Sequence, residues 1–150
     1  MKLALVTGGM RRVGAIIAAR LAREGYTLAL ASHADGAPDP ALQSALEANA
    51  VNWQPFVADL SDMAAPAKLI DDVIAHFGQA PELLVNNAAM FGQDDWTQMD
   101  AASLDAHFKL NLFAPLLLSQ ALVARSDRQV AVVHIVDQRI VNPNSVQVSY

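Results

Sequence analysis

A chain of 150 residues, 53% of them hydrophobic, can bury one sizeable core and is short for two. Its formal charge of -5 argues against a protein that grips a nucleic-acid backbone, because that affinity rests on a Lys/Arg surface. The lack of cysteine removes disulfides, thiolate nucleophiles and Cys-ligated zinc, and permits a cytoplasmic setting.

The chain opens on an apolar run ending at Gly8 and Gly9, too short for a signal segment and followed by Arg11 and Arg12, so it reads as a strand at about 3–7. The glycine-bearing turn Thr7-Gly8-Gly9-Met10-Arg11-Arg12-Val13-Gly14 leads directly into a helix at about 12–24, closed by Gly25. Glycines let backbone approach a ligand, and a helix start offers N–H groups and a positive dipole end, so the turn reads as a phosphate cradle. It departs from GxGxxG and lacks the Lys-Ser/Thr ending of a P-loop, which counts against an ATPase. A strand at about 27–31 ends at Ser32 and His33, and Asp39-Pro40 marks the cap and first turn of a helix at about 40–49. The next strand, about 54–58, runs into Asp59-Leu60-Ser61-Asp62; Ser61 or Asp62 serves to cap the helix at about 63–77, which leaves Asp59 for another role. Gly78 closes that helix.

A strand at about 82–86 ends in Asn86-Asn87-Ala88-Ala89, and a loop carrying Phe91 and Trp96 follows. Asp100 caps a long helix at about 101–125, which holds Asn111. Its greasiest stretch, Leu110 to Ala124, is broken by Asn111, Pro115, Ser119 and Gln120, and falls short of the roughly 18 apolar residues of a membrane span. The last strand, about 130–136, ends at Asp137, and Tyr150 follows after twelve residues. Strands that are apolar at consecutive positions and alternate with helices predict a doubly wound parallel α/β sheet covered on both faces. Ligands of such a sheet bind at the carboxyl ends of its strands, where the unusual residues cluster. His33, His76, His107 and His134 are scattered, so no metal is expected.

These motifs resemble the short-chain dehydrogenase/reductase superfamily, in order along the whole chain. The first turn is similar to the TGxxxRxG form of the family's cofactor loop, with Arg12 at the place of the middle glycine. Asn86-Asn87-Ala88-Ala89 is similar to NNAG, and the spacing of Asp137 and Tyr150 to the family's Ser–Tyr pair. Aspartate for that serine, the TGxxxRxG loop and Phe91 narrow the resemblance to the pteridine reductases, of dihydropteridine or dihydromonapterin reductase type.

The resemblance implies one NAD(P)-binding Rossmann-type domain over 1–150, truncated before its last strands. It assigns the cofactor to Gly8, Gly9, Arg11, Arg12, Val13, Gly14, Ser32, His33, Asp59, Leu60, Asn87, Ala88 and Ala89, with the Asp59 carboxylate at the adenine amino group. NAD-selective relatives end the second strand in an acidic residue; Ser32-His33 there, with Arg11 and Arg12 in the cradle, favours NADPH (NADP+), although Asp35 stands close by. Phe91 would stack on a pterin. Tyr150 would protonate the atom beside the hydride acceptor, a C=N or C=O carbon, with help from Asp137. Asn111 would hold a water leading to a lysine one helical turn beyond Tyr150. Since that lysine lies past the chain, the 150 residues alone are expected to be inactive, the intact form being a cytoplasmic homo-oligomer that meets a small-molecule substrate and neither nucleic acid nor membrane. A general carbonyl or 3-oxoacyl reductase is the alternative, and a noncatalytic nucleotide-binding or interaction fragment the alternative of another class.

Overall fold

The computed structural model describes residues 2–92, 95–137 and 141. Five strands form one parallel sheet: β1 (Leu3–Thr7), β2 (Thr27–Ser32), β3 (Trp53–Val57), β4 (Leu83–Asn86) and β5 (Ala131–His134), in the order β3-β2-β1-β4-β5. The chain winds outward from β1 in both directions, which opens a crevice between the carboxyl ends of β1 and β4. Pro55 is accommodated because β3 is an outer strand, where a missing N–H interrupts no ladder.

β1 is buried throughout, and its residues divide by parity between two halves of the core. Leu3 and Leu5, with Leu84, face Leu69, Ile70 and Val73 of α3 (Ala65–Phe77) and Leu118 and Leu122 of α5 (Ala114–Arg125). Ala4 and Val6, with Leu28 and Leu30, face Ala15, Ala18 and Ala22 of α1 (Arg12–Arg23) and Leu42 and Leu46 of α2 (Pro40–Ala48). The consecutive apolar residues are thus explained by helices on both faces, as the sequence led us to expect. On the first face, α3 and α5 are further joined by Arg125, whose Nε and Nη2 donate to Asp71 at 2.5 and 3.0 Å.

Gly25 and Gly78 adopt left-handed φ of 78° and 72°, and Asp100 accepts from the Ser103 N–H, as expected. The long helix expected over 101–125 is instead three pieces: α4 (Ala101–Phe108), a π turn (Lys109–Phe113) and α5. Pro115 gives the reason, for it has no N–H to donate to the Asn111 carbonyl, and its ring crowds the preceding turn of a regular helix. The chain widens there, so that the Ala114 N–H reaches the Lys109 carbonyl. No helix among the described residues is long and apolar enough to cross a membrane.

Candidate functional site

The carboxyl ends of β1 and β4 are sewn together by Thr7. Its buried hydroxyl donates to the Val85 carbonyl at 3.3 Å and accepts from the Asn87 and Ala88 N–H groups, both at 3.0 Å. Asn87 returns the contact, its Nδ2 donating to the carbonyls of Thr7 (2.9 Å) and Gly8 (3.2 Å). A side chain that donates and accepts at once is needed at each place, which is why a hydroxyl and an amide stand there. The sequence reading places Thr7 as the first residue of the TGxxxRxG loop but gives it no role of its own.

Beyond Thr7 the backbone turns at Gly8, with φ of 62°, and Arg12 also takes a left-handed φ of 53°. The substitution of arginine for the middle glycine therefore leaves the backbone in a glycine-like conformation, at the steric cost a Cβ incurs there. Gly14 is required for a different reason: a Cβ on it would lie 2.0 Å from the Gly8 carbonyl oxygen. Only hydrogen at that position lets the first turn of α1 rest on the glycine turn. Gly9 packs the other way, toward Val6 and Leu30, and supports the cradle from beneath.

Asp39 corrects an expectation. It stands at the N-cap position of α2, with Pro40 following, yet its side chain makes no capping bond to that helix. Its carboxylate accepts from the Arg12 N–H at 2.9 Å, and its own N–H donates to the Met10 carbonyl at 2.9 Å. The Asp39 carboxylate thus serves the start of α1, where it meets an orphan donor and the positive end of a dipole, in place of the start of α2.

At the second strand end, the Ser32 hydroxyl donates to the Ala34 carbonyl at 2.8 Å, and exposed His33 stands 3.7 Å from an oxygen of Asp59. The Arg11 guanidinium reaches toward the same loop, 3.3 Å from where a Cβ on Gly36 would stand. Asp59 Oδ1 accepts from both the hydroxyl (2.6 Å) and the N–H (3.0 Å) of Ser61. Those two bonds, the hydroxyl first, hold its carboxyl below the usual range, with His33 adding a smaller pull. Asp59 thus spends one oxygen on its own turn and keeps Oδ2 outside these bonds. Asp62 accepts from the Ala64 N–H just ahead of α3.

These strand ends enclose a groove of about 800 Å³. Of the residues expected at a cofactor, Gly8, Arg11, Arg12, Val13, Gly14, Ser32, His33, Asp59, Leu60, Asn87, Ala88 and Ala89 line it; Gly9 does not. Ala31, Ala58, Ser61, Met90 and Leu110 line it too and were not foreseen, being small or apolar residues whose types carry no chemical signal. The cradle, with its Cβ-excluding glycines and a helix start beside two arginines, fits a dinucleotide pyrophosphate.

The remaining candidates lie outside that lining. Asn111, in the π turn, clasps the Met90 backbone on both sides: its Oδ1 accepts from the Met90 N–H at 2.8 Å and its Nδ2 donates to the Met90 carbonyl at 2.9 Å. Each end of the amide gives one bond to the loop, with a second Nδ2 hydrogen and a second Oδ1 lone pair beyond these two bonds. Phe91, next after the clasped residue, is 52% exposed. Trp96 is 73% exposed farther along. Asp137 is half-buried and lies three residues past His134, the register partner of Asn86, so it follows the same sheet edge as Asn87 and Ala88. Tyr150 lies outside the described residues. Among the described residues no three His, Cys, Asp or Glu side chains gather around a metal-sized space.

The family model described as short chain dehydrogenase matches residues 2–150. An L-xylulose reductase of Aspergillus niger is 31% identical over 166 aligned residues, which take in 99% of this chain and 53% of that protein. Among solved structures, a 3-oxoacyl-[acyl-carrier protein] reductase from Brucella melitensis in complex with NAD superposes with a TM-score of 0.87 at 27% identity, covering 99% of this chain and 60% of the other. A metagenomic short-chain oxidoreductase in complex with NADP gives 0.84 at 26% identity, covering 99% and 67%. The chain spans about half the length of the curated relatives it matches.

Proposed function

Because the chain belongs to the short chain dehydrogenase family, we propose that it forms the nucleotide-binding part of an NADPH-dependent reductase of C=N or C=O bonds, with a pterin as substrate. The observation that carries this reading is the groove itself: one continuous lining joins the glycine turn, the ends of β2 and β3, and Asn87 to Ala89. Its ends suit the parts of a dinucleotide, with the cradle for the pyrophosphate, Asp59 for the adenine amino group and the small residues Ala88 and Ala89 for the nicotinamide ribose.

The choice of NADPH rests on charge. The end of β2 presents Ser32 and His33 in place of a carboxylate, and Arg11 bends toward that loop, so a 2'-phosphate would meet the Arg11 guanidinium. Bound NADPH would supply the hydride. The chain's own part is to orient: Asn111 fixes Met90, Met90 presents Phe91, and the Phe91 ring offers a flat face to a heteroaromatic substrate. Asp137 and Tyr150 are assigned to proton delivery, the carboxylate holding the substrate's polar edge and the phenol giving its proton to the reduced bond's heteroatom. A phenol with a reference pKa near 10 needs a neighbouring cation for that work, which the family supplies as a lysine. Cytoplasmic residence and a homo-oligomeric intact form belong to the same proposal.

A general carbonyl or 3-oxoacyl reductase is the second reading, favoured by the activities named for the Aspergillus and Brucella relatives. Fluorescence titration of this chain with NADPH and NADH tests the cofactor: tighter binding of NADH would reject the assignment. Turnover of dihydropterins against ketones and 3-oxoacyl thioesters, on a polypeptide carrying the further residues of its relatives, separates the substrates. Equal or better rates on the ketones would remove the pterin.

A further inference from the structure

We infer that Asp39 is a positioning residue for the nucleotide, bracing the phosphate turn in the strained shape that Arg12 imposes; the inference rests on the groove being a dinucleotide site. Two bonds carry it. The carboxylate takes the Arg12 N–H and the Asp39 N–H takes the Met10 carbonyl, each at 2.9 Å, so one residue holds both ends of the turn from Met10 to Arg12. Arg12 is a residue with a Cβ at φ of 53°, a conformation that glycine adopts freely and other residues resist. A turn built with arginine therefore needs an external hold that a turn built with glycine does not.

The position of the brace fits this role. Asp39 is not among the residues that line the groove, so it grips the turn from outside and leaves the space for phosphate clear. It is held in turn by α2, which begins at the next residue and packs Leu42 and Leu46 into the same half of the core as Ala15 and Ala18 of α1. A carboxylate is favoured over a neutral acceptor because it faces the positive end of α1 and forms a charge-assisted bond. No bond to α2 competes for it, since the Asp39 side chain does not cap that helix. The loop that follows β2 and the turn that follows β1 are thus mechanically joined, and a shift in one is felt by the other.

A double-mutant cycle between Asp39→Ala and Arg12→Gly tests the brace, read by NADPH titration and by thermal unfolding of the 150-residue chain. Asp39→Ala should weaken NADPH binding about tenfold, the size of one charge-assisted hydrogen bond. Asp39→Asn, whose carbonyl can still accept from the Arg12 N–H, should recover most of that loss and serves if the alanine variant does not fold. In the Arg12→Gly background, Asp39→Ala should change affinity by less than about twofold and lower the unfolding temperature by less than it does in the parent. Equal losses in both backgrounds, or no loss in the parent, would overturn the brace while leaving the dinucleotide site standing. Absence of NADPH binding by the parent chain at millimolar concentration would overturn the site and the brace together.

Discussion

Substitution of Gly14 by alanine sets two effects of opposite sign against each other. Inside an exposed helix, alanine is better than glycine by about 1 kcal/mol, and Gly14 occupies the first turn of α1. The added methyl, however, would lie 2.0 Å from the Gly8 oxygen and 2.7 Å from Asn87 Nδ2, where ordinary contact begins at 3.4 Å. Relief requires α1 to retreat by more than an ångström, and the obstacle is backbone, which cannot swing aside as a side chain would. Overpacking costs about 1–3 kcal/mol, and a backbone obstacle puts this case at the upper end. Offset by the propensity gain, the net loss is about 2 kcal/mol, or roughly 4–8 °C in melting temperature for a chain of this size. The retreat also pulls the helix start from the cradle, so NADPH affinity should fall with stability. Thermal unfolding followed by circular dichroism, with a cofactor titration beside it, decides the matter. A melting temperature equal to or above the parent's, with affinity unchanged, would refute the close approach of Gly14 to Gly8.

Thr7→Val keeps the shape but strands two N–H groups and a carbonyl in a buried place, so denaturant unfolding should reveal a loss of about 3 kcal/mol, while Thr7→Ser loses less than half of that. Asn111→Leu removes both bonds to Met90; we expect about 1–3 kcal/mol of destabilisation and faster hydrogen exchange at the Met90 amide, and unchanged exchange there would disprove the clasp. The hydrogen bonds from Arg125 hold the Asp71 carboxyl below its usual range, so its contribution is present above the unfolded value of about 3.9 and is lost as pH falls through the lower folded value. Asp71→Asn should therefore be less stable than the parent at pH 7, with the gap closing as the solution is taken below about pH 3.9. High salt should narrow the same gap at neutral pH, and a gap independent of both pH and salt would count against the ion pair.

Much of this architecture is legible in residue order. Unbroken apolar runs such as Leu83 to Val85 require two covered faces, and Gly25 and Gly78 mark helix ends because the left-handed conformation suits few other residues. The glycine turn, Ser32-His33, Asp59 and Asn87 stood out as polar or glycine residues at strand ends, and the family resemblance assigned them to a cofactor. What was hidden depended on contacts between distant segments. Asp39-Pro40 has the local form of a helix cap, and nothing near it announces that a donor from Arg12 will arrive from across the chain. Thr7 looks like any β-branched strand residue until Asn87 and Ala88 are folded against it. The break at Lys109–Phe113 could have been foreseen, since Pro115 sits well inside a periodic helical pattern and its missing donor has to be absorbed somewhere.

The unequal sizes of side chains on the two sides of the sheet have a bearing on how this molecule can vary. α1 rests on the sheet through the methyl groups of Ala15, Ala18 and Ala22, whereas the opposite side is filled by Leu69, Ile70, Leu118 and Leu122. Branched side chains can trade volume with one another, so swaps among leucine, isoleucine and methionine beneath α3 and α5 should be absorbed locally. Among its buried residues α1 contributes only methyl groups to the contact with Val6, Leu28 and Leu30, so it has no larger buried side chain of its own to shrink in exchange. A bulkier residue at Ala18 would lift the whole helix, and the mouth of the groove would move with it, so alanine there acts as a spacer that sets the gauge of the cofactor site.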